Sequence, residues 1–329
     1  MQRQRTTTTD APDPRHVHLF AGQGDFPLSP LLRAAGAHGM LRRVMGEVFE
    51  EVDQVAKRRG LPLLEPWLLG PAPPSGRDLA RAPVGVAQLA LFGASLTVHR
   101  ALIERFGPPD AVVGVSFGEI PALTAAGVFD VPQGAAIAWE LGRILTSSCP
   151  GGLTLLGCGQ AAARGMVSQA GGREVVVACV NDFQECVVSG PVDQLRRVEK
   201  SAAAMGIASA RLRLPFSSHH PALGRQAEEF AQVVRRHPAQ PMSCAVLSAV
   251  ARRPYVPGDD VPARLADCLL WPAHVPDAVA LATGHALPGQ RVRLFEAGTG
   301  SALAANARRI LKGRSVTVHA PLADPGFSW

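Results

Sequence analysis

Residues His16 to Phe20 alternate and then run into Ala21-Gly22-Gln23-Gly24, the pattern of a short strand closed by a glycine turn. Apolar positions recur at helical spacing from Leu31 to Arg59, which predicts a helix there. Pro71 to Gly76 reads as a loop. An almost unbroken apolar stretch predicts a buried helix from Val84 to Phe106, stopped by Gly107-Pro108-Pro109. The β-rich run Ala111 to Val115 passes directly into a helical segment, Glu119 to Gly127. Further strands are expected over Cys244 to Val250 and Val292 to Phe295, the latter entering Gly298-Thr299-Gly300.

Between these lies a segment with its own order. Leu153 to Leu156 reads as strand, Gln160 to Gln169 as helix and Val175 to Val180 as strand. Glu185 to Ser189 follows as strand after the turn at Asn181-Asp182, then Pro191 to Met205 as helix and Ala208 to Leu214 as strand. That is the split βαβ order of a small ferredoxin-like unit. It sits inside a larger α/β arrangement, so the expected division is a flexible leader over 1–15, a large subdomain over 16–150 and 215–329, and an inserted subdomain over 151–214. A chain of 329 residues exceeds what one compact core usually holds, in keeping with two units.

Composition narrows the class. Hydrophobic residues make up 47% and charged ones 18%, which excludes wholesale disorder, and aromatics at 5% leave the core to Ala, Val, Leu and Ile. No uninterrupted apolar run reaches the roughly 18–20 residues of a membrane span; the nearest, Pro83 to Val98, carries Gln88 and Ser95. The N-terminus, through Arg15, lacks the apolar region of a signal peptide. Six cysteines (149, 158, 179, 186, 244 and 268) form no CxxC pair or Cys/His cluster, so neither a metal site nor a disulfide framework is expected, and a cytoplasmic protein with reduced thiols is. The net charge is +6, with basic pairs scattered along the chain rather than packed in one stripe. That distribution fits an acidic protein or a phosphate-bearing substrate better than nucleic acid.

Candidate chemistry sits at Gly114-Val115-Ser116-Phe117-Gly118, a GxSxG motif between strand and helix. The glycines allow a sharp turn that lifts the serine hydroxyl to a helix N-terminus, where the Phe117 N–H can meet an oxyanion. A serine nucleophile needs a base. Phe216-Ser217-Ser218-His219-His220-Pro221 follows a predicted strand and offers two histidines; His274 and His285, in loops, compete with them.

Taken together, these residues resemble the malonyl-CoA:acyl-carrier-protein transacylase family, including the acyltransferases of polyketide synthesis, from about His16 to Leu311. Ala21 to Gly24 resembles the PGQG turn, Gly114 to Glu119 the GHSxGE motif, and Ala125 to Val128 the AAGV that follows. Asn181 to Gly190 resembles the N-x-x-x-x-V-x-S-G stretch, Phe216 to His219 the tetrapeptide ending in histidine, and Glu296 to Gly300 the late E-x-G-P turn. The resemblance implies an α/β fold with an α/β-hydrolase-like large subdomain and an inserted ferredoxin-like one. It implies Ser116 as nucleophile, His219 as general base, an oxyanion hole from the Gln23 and Phe117 backbone N–H groups, and a backbone carbonyl, assigned to Cys268, that orients the histidine. It implies no tightly bound cofactor and no metal, with CoA or the phosphopantetheine arm of a carrier protein as co-substrate. The partner would be an acidic acyl carrier protein, with no nucleic acid, no membrane and a monomeric chain.

Two departures change the expected substrate. The family places a histidine before the serine and, on a later helix, an arginine that pairs with a malonyl-type carboxylate; here those positions are Val115 and Leu141. Arg143 lies two positions on and does not share the face of Leu141. The pocket, expected to include Val115, Leu141, Gly152 and Phe216, is therefore apolar, and Gly151 and Gly152 are expected to widen it. Phe26 replaces the usual second glutamine of the N-terminal turn. The expectation is a discrete acyltransferase of polyketide or antibiotic biosynthesis, ping-pong through a Ser-His dyad, carrying a larger, non-dicarboxylic acyl group. The alternative is a proofreading hydrolase that clears acyl groups from carrier proteins.

Overall fold

The described residues of the computed structural model are 12–24, 27–284, 286–287 and 290–329. Phe26, His285 and residues 1–11 of the expected leader lie outside them. Among the described residues the strands are, in chain order, β1 (Arg15–Phe20), β2 (Ala111–Gly114), β3 (Gly152–Leu156), β4 (Val176–Asp182), β5 (Glu185–Gly190), β6 (Ser209–Arg211), β7 (Ala245–Ser248), β8 (Arg253–Pro254), β9 (Ala273–His274), β10 (Val292–Glu296) and β11 (Val316–His319).

The large sheet has the order β11-β10-β1-β2-β7-β8, parallel except for β8. Parallel strands need both faces covered, and the central ones are accordingly buried: Val17, Leu19, Val112 and Val113 are fully enclosed. The long helix Val86–Phe106 packs against the helices Gly39–Arg59 and Val131–Ser148. By length and composition it could cross a membrane, but 83% of its most apolar window is buried inside the fold. Gly93 permits the close approach of this helix, because a β-carbon there would lie 2.6 Å from the Phe49 ring. The single helix predicted from Leu31 to Arg59 is instead two, Ser29–Ala37 and Gly39–Arg59, broken where His38 turns extended (φ −127°, ψ 109°). Glycines at 36 and 39 flank the break and weaken the helix locally.

The inserted segment forms β3, β4, β5 and β6 with the helices Gln160–Gln169 and Val192–Ala204. Its antiparallel order β6-β3-β5-β4 is ferredoxin-like, over a second core that includes Leu156, Met166, Val188, Leu195 and Val198. A fifth strand joins from outside 151–214: β9 pairs parallel with β4, Cys179 opposite Ala273. Alternation could not reveal so short a strand. The chain is thus α/β, an α/β-hydrolase-like large subdomain carrying a ferredoxin-like small one.

Candidate active site

Ser116 sits on the turn between β2 and the helix Glu119–Ala125, in the left-handed region at φ 57°. The flanking glycines have a steric reason. A β-carbon at Gly114 would lie 2.6 Å from Glu119 Cα, and one at Gly118 would run into the Phe20 carbonyl. The turn is fixed by the Val115 N–H donating to Phe20 O (3.1 Å) and the Gly118 N–H to Val115 O (2.9 Å). Beneath it, Glu119 is fully buried and accepts from Ser248 Oγ and Tyr255 OH, each at 2.7 Å. Burial pushes its carboxyl up to about 7, against these hydrogen bonds.

His219 reaches this serine from the loop after β6. Its own φ is 54°. The loop is pinned on both sides, by the Ser217 N–H to Cys149 O (2.9 Å) and the His220 N–H to Leu269 O (2.8 Å). His219 Nε2 lies 2.7 Å from Ser116 Oγ, and Nδ1 lies 2.7 Å from Trp271 O. With Nδ1–H donating to that carbonyl, Nε2 keeps the lone pair that can take the serine proton. Burial lowers the imidazole to about 4, so it is neutral at ordinary pH.

The orienting carbonyl is therefore Trp271, not Cys268. Residues Asp267–Leu269 form a tight turn in which the Leu270 and Trp271 N–H groups both donate to Asp267 O (3.0 and 2.9 Å). Only after that turn does the chain present a carbonyl toward His219, just before β9. Cys268 instead directs Sγ to Ser116 O at 3.6 Å, backing the Ser116 turn.

Ser116 and His219 open into a cavity of about 380 Å³ between the two sheets. Gln23, Val115, Phe117, Leu141 and Phe216 line it. Gly152 does not: a β-carbon there would face Arg211 and Leu195, away from the cavity. Gly151 does not widen it either. It holds φ 130°, and a side chain would collide with Ser217 Oγ, so backbone conformation accounts for the glycine. Among the described lining residues there is no lysine or arginine. Arg143 is engaged elsewhere, donating to Glu140 (2.8 Å) and Glu229 (2.7 Å). His220 Nε2–H donates to Glu174 O (2.8 Å), and His274 sits 3.2 Å from Asp277; neither contacts Ser116. Sequence reasoning missed Trp271, Ser248 and Tyr255, whose roles come from contacts between distant segments.

Residues 20–262 match the family model described as an acyl transferase domain. A polyketide synthase from Streptomyces halstedii is 30% identical over 267 residues, 79% of this chain, which spans only 3% of that relative's length. The malonyl-CoA:acyl carrier protein transacylase of Xanthomonas oryzae superposes with a TM-score of 0.79 at 22% identity, over 96% of each chain. A malonyl-transacylase solved in complex with its type II polyketide acyl-carrier protein superposes with a TM-score of 0.77 at 22% identity, covering 92% of this chain and 94% of that one. With the family model spanning most of its length and both subdomains, the chain belongs to the acyl transferase domain family.

Proposed function

We propose that this protein moves a non-dicarboxylic acyl group from a thioester donor, through an acyl-Ser116 intermediate, to the phosphopantetheine thiol of an acyl carrier protein in polyketide-type biosynthesis. In the first half-reaction His219 Nε2 takes the Ser116 proton as Oγ attacks the thioester carbonyl. The oxyanion is held by the Gln23 and Phe117 backbone N–H groups. Collapse breaks the C–S bond, and the departing thiolate takes the proton from His219. In the second half-reaction the carrier-protein thiol gives its proton to His219 and attacks the acyl ester; the C–O bond breaks and Ser116 Oγ leaves with the proton from His219. No resident cofactor is needed. The partner fits by charge, a chain of net charge +6 meeting an acidic carrier protein, and a structural relative was solved with an acyl-carrier protein.

The observation that carries the substrate reading is the cavity around Ser116, with Leu141 and Val115 in its wall and no lysine or arginine among its described lining residues. A malonyl carboxylate placed there would be desolvated without a cationic partner, which costs several kcal/mol, on the order of a hundredfold or more in affinity. A neutral acyl chain gains about 0.8 kcal/mol per buried CH₂. The test is incubation with a panel of acyl-CoA and acyl-carrier-protein donors plus a holo carrier protein, read by intact mass. Acylated carrier protein from neutral donors is the expected product. Free acid with unmodified carrier protein would make the chain a thioester hydrolase instead.

A further inference from the structure

Most polar side chains lining the cavity already have partners within the chain. Asn306 Nδ2 donates to Asp182 (2.8 Å), Asn181 Nδ2 to Glu185 (2.8 Å), and Glu296 accepts the Ala304 N–H (2.7 Å). Two groups differ. Among the described residues, neither the Thr299 hydroxyl nor the Gln23 side-chain oxygen has a hydrogen-bond partner, although both atoms are buried and Thr299 is only 2% exposed. Buried polar atoms are normally satisfied, so a pair of unsatisfied ones lining one cavity points to a ligand that supplies the missing bonds.

The two residues are neighbours by topology. β1 and β10 are adjacent and parallel, with Leu19 opposite Glu296 and the Ala297 N–H donating to Leu19 O at 2.8 Å. The loops carrying Gln23 and Thr299 therefore leave the same edge of the sheet side by side. That edge faces the nucleophile, since the β-carbon position at Gly22 is 3.4 Å from Ser116 Cβ.

We propose that Thr299 and Gln23 form a polar subsite for an amide of the donor thioester. The Thr299 hydroxyl donates to the amide carbonyl, and Gln23 Oε1 accepts the amide N–H. A planar secondary amide satisfies both groups, an ester only the first, and an alkyl chain neither. The amide belongs either to the acyl chain or to the pantetheine arm. The proposal rests on the acyl-Ser116 reading above.

The experiment compares wild type with Thr299→Val, which keeps the shape and removes the hydroxyl, and Thr299→Ser, which retains it. Three donors are used: a simple acyl group on pantetheine, the same acyl group on ethanethiol, and an N-acetyl-β-alanyl group on ethanethiol. Acylation of Ser116 is followed by intact mass and thiol release. In Thr299→Val, kcat/KM for an amide-bearing donor relative to the amide-free one falls roughly tenfold, the size of one hydrogen bond, and Thr299→Ser restores the ratio. A loss confined to the pantetheine donor assigns the amide to the arm; a loss confined to the N-acetyl-β-alanyl donor assigns it to the acyl chain. Thr299→Val should also melt no lower than wild type, because a partnerless hydroxyl stabilises nothing. An equal loss with all three donors, or a lowered Tm with the ratio unmoved, overturns the subsite alone. Absence of any adduct on wild-type Ser116 overturns the acyl-transfer reading and the subsite with it.

Discussion

His219 Nε2 lies 2.7 Å from Ser116 Oγ, and both residues hold left-handed backbone conformations. For residues other than glycine such conformations cost about 1–3 kcal/mol each and persist only where the surroundings over-determine them. Here they do: glycine packing and two backbone hydrogen bonds set the serine turn, and contacts to Cys149 and Leu269 set the histidine loop. Two separately strained turns thus meet at hydrogen-bond distance, which supports the acyl-Ser116 mechanism proposed above.

Ser116→Ala should abolish both self-acylation and transfer while leaving the fold intact. Incubation of wild type with an acyl thioester, followed by peptide mapping, should place the acyl group on Ser116. An adduct on Cys149 or Cys268 would refute the assignment; burial raises both thiols, to about 12 at Cys149, which makes them poor nucleophiles.

The two adjacent histidines should separate cleanly. His219→Ala should lower turnover by roughly 10²–10⁴-fold, the usual loss of a general base. His220 accepts the Ala222 N–H at the start of a short turn and contacts Glu174 O. Its replacement by Ala should cost about 1 kcal/mol of stability with little effect on turnover. Greater damage to kcat from His220→Ala would reverse the roles.

Because burial lowers His219 to about 4, the neutral base persists well below the ordinary imidazole value of 6.5. The rate of Ser116 acylation should therefore hold from neutral pH down toward pH 5 and fall as pH approaches 4. The sign follows from a base that is lost only when protonated. A fall centred near 6.5 in the pre-steady-state acylation rate would show an imidazole open to water.

Leu141→Arg combined with Val115→His should shift preference toward malonyl donors, since both positions line the cavity. The quantity to compare is kcat/KM for malonyl over a neutral acyl thioester, expected to rise by tenfold or more on the order of one charge-assisted pair. A wild-type enzyme that already favours malonyl would contradict the apolar-pocket reading.

Glu119 bears on stability. Its folded value, raised by burial to about 7, means that the protonated form is preferred in the fold. Its contribution is present below the unfolded value near 4.5 and is lost as pH rises through about 7. Glu119→Gln has no charge to desolvate, so its unfolding free energy should gain on wild type between pH 5 and pH 8, by on the order of 2 kcal/mol. A gap that narrows as pH rises would mean that the carboxylate is ionised and well served by Ser248 and Tyr255.

Local pattern carried much of this protein. The strand before Ser116, the helix after it and the order of the ferredoxin-like insert are all legible, because side-chain alternation and helical spacing are set residue by residue. The GxSxG glycines are legible too, since their role is steric and confined to one turn. What needed the folded chain was every relationship across distance. The orienting carbonyl fell to Trp271 because a tight turn at Asp267–Leu269 delays the chain before β9. β9 itself is too short to show alternation and exists only by pairing with β4. Gly152 faces Leu195 rather than the cavity because strand register decides which side of a sheet a residue serves. Leu141 and Val115, from separate segments, line one cavity only once the helix Val131–Ser148 has packed against the helix Glu119–Ala125 that follows Ser116. Sequence determined which residues could do the chemistry; packing between segments far apart in the chain decided which of them meet.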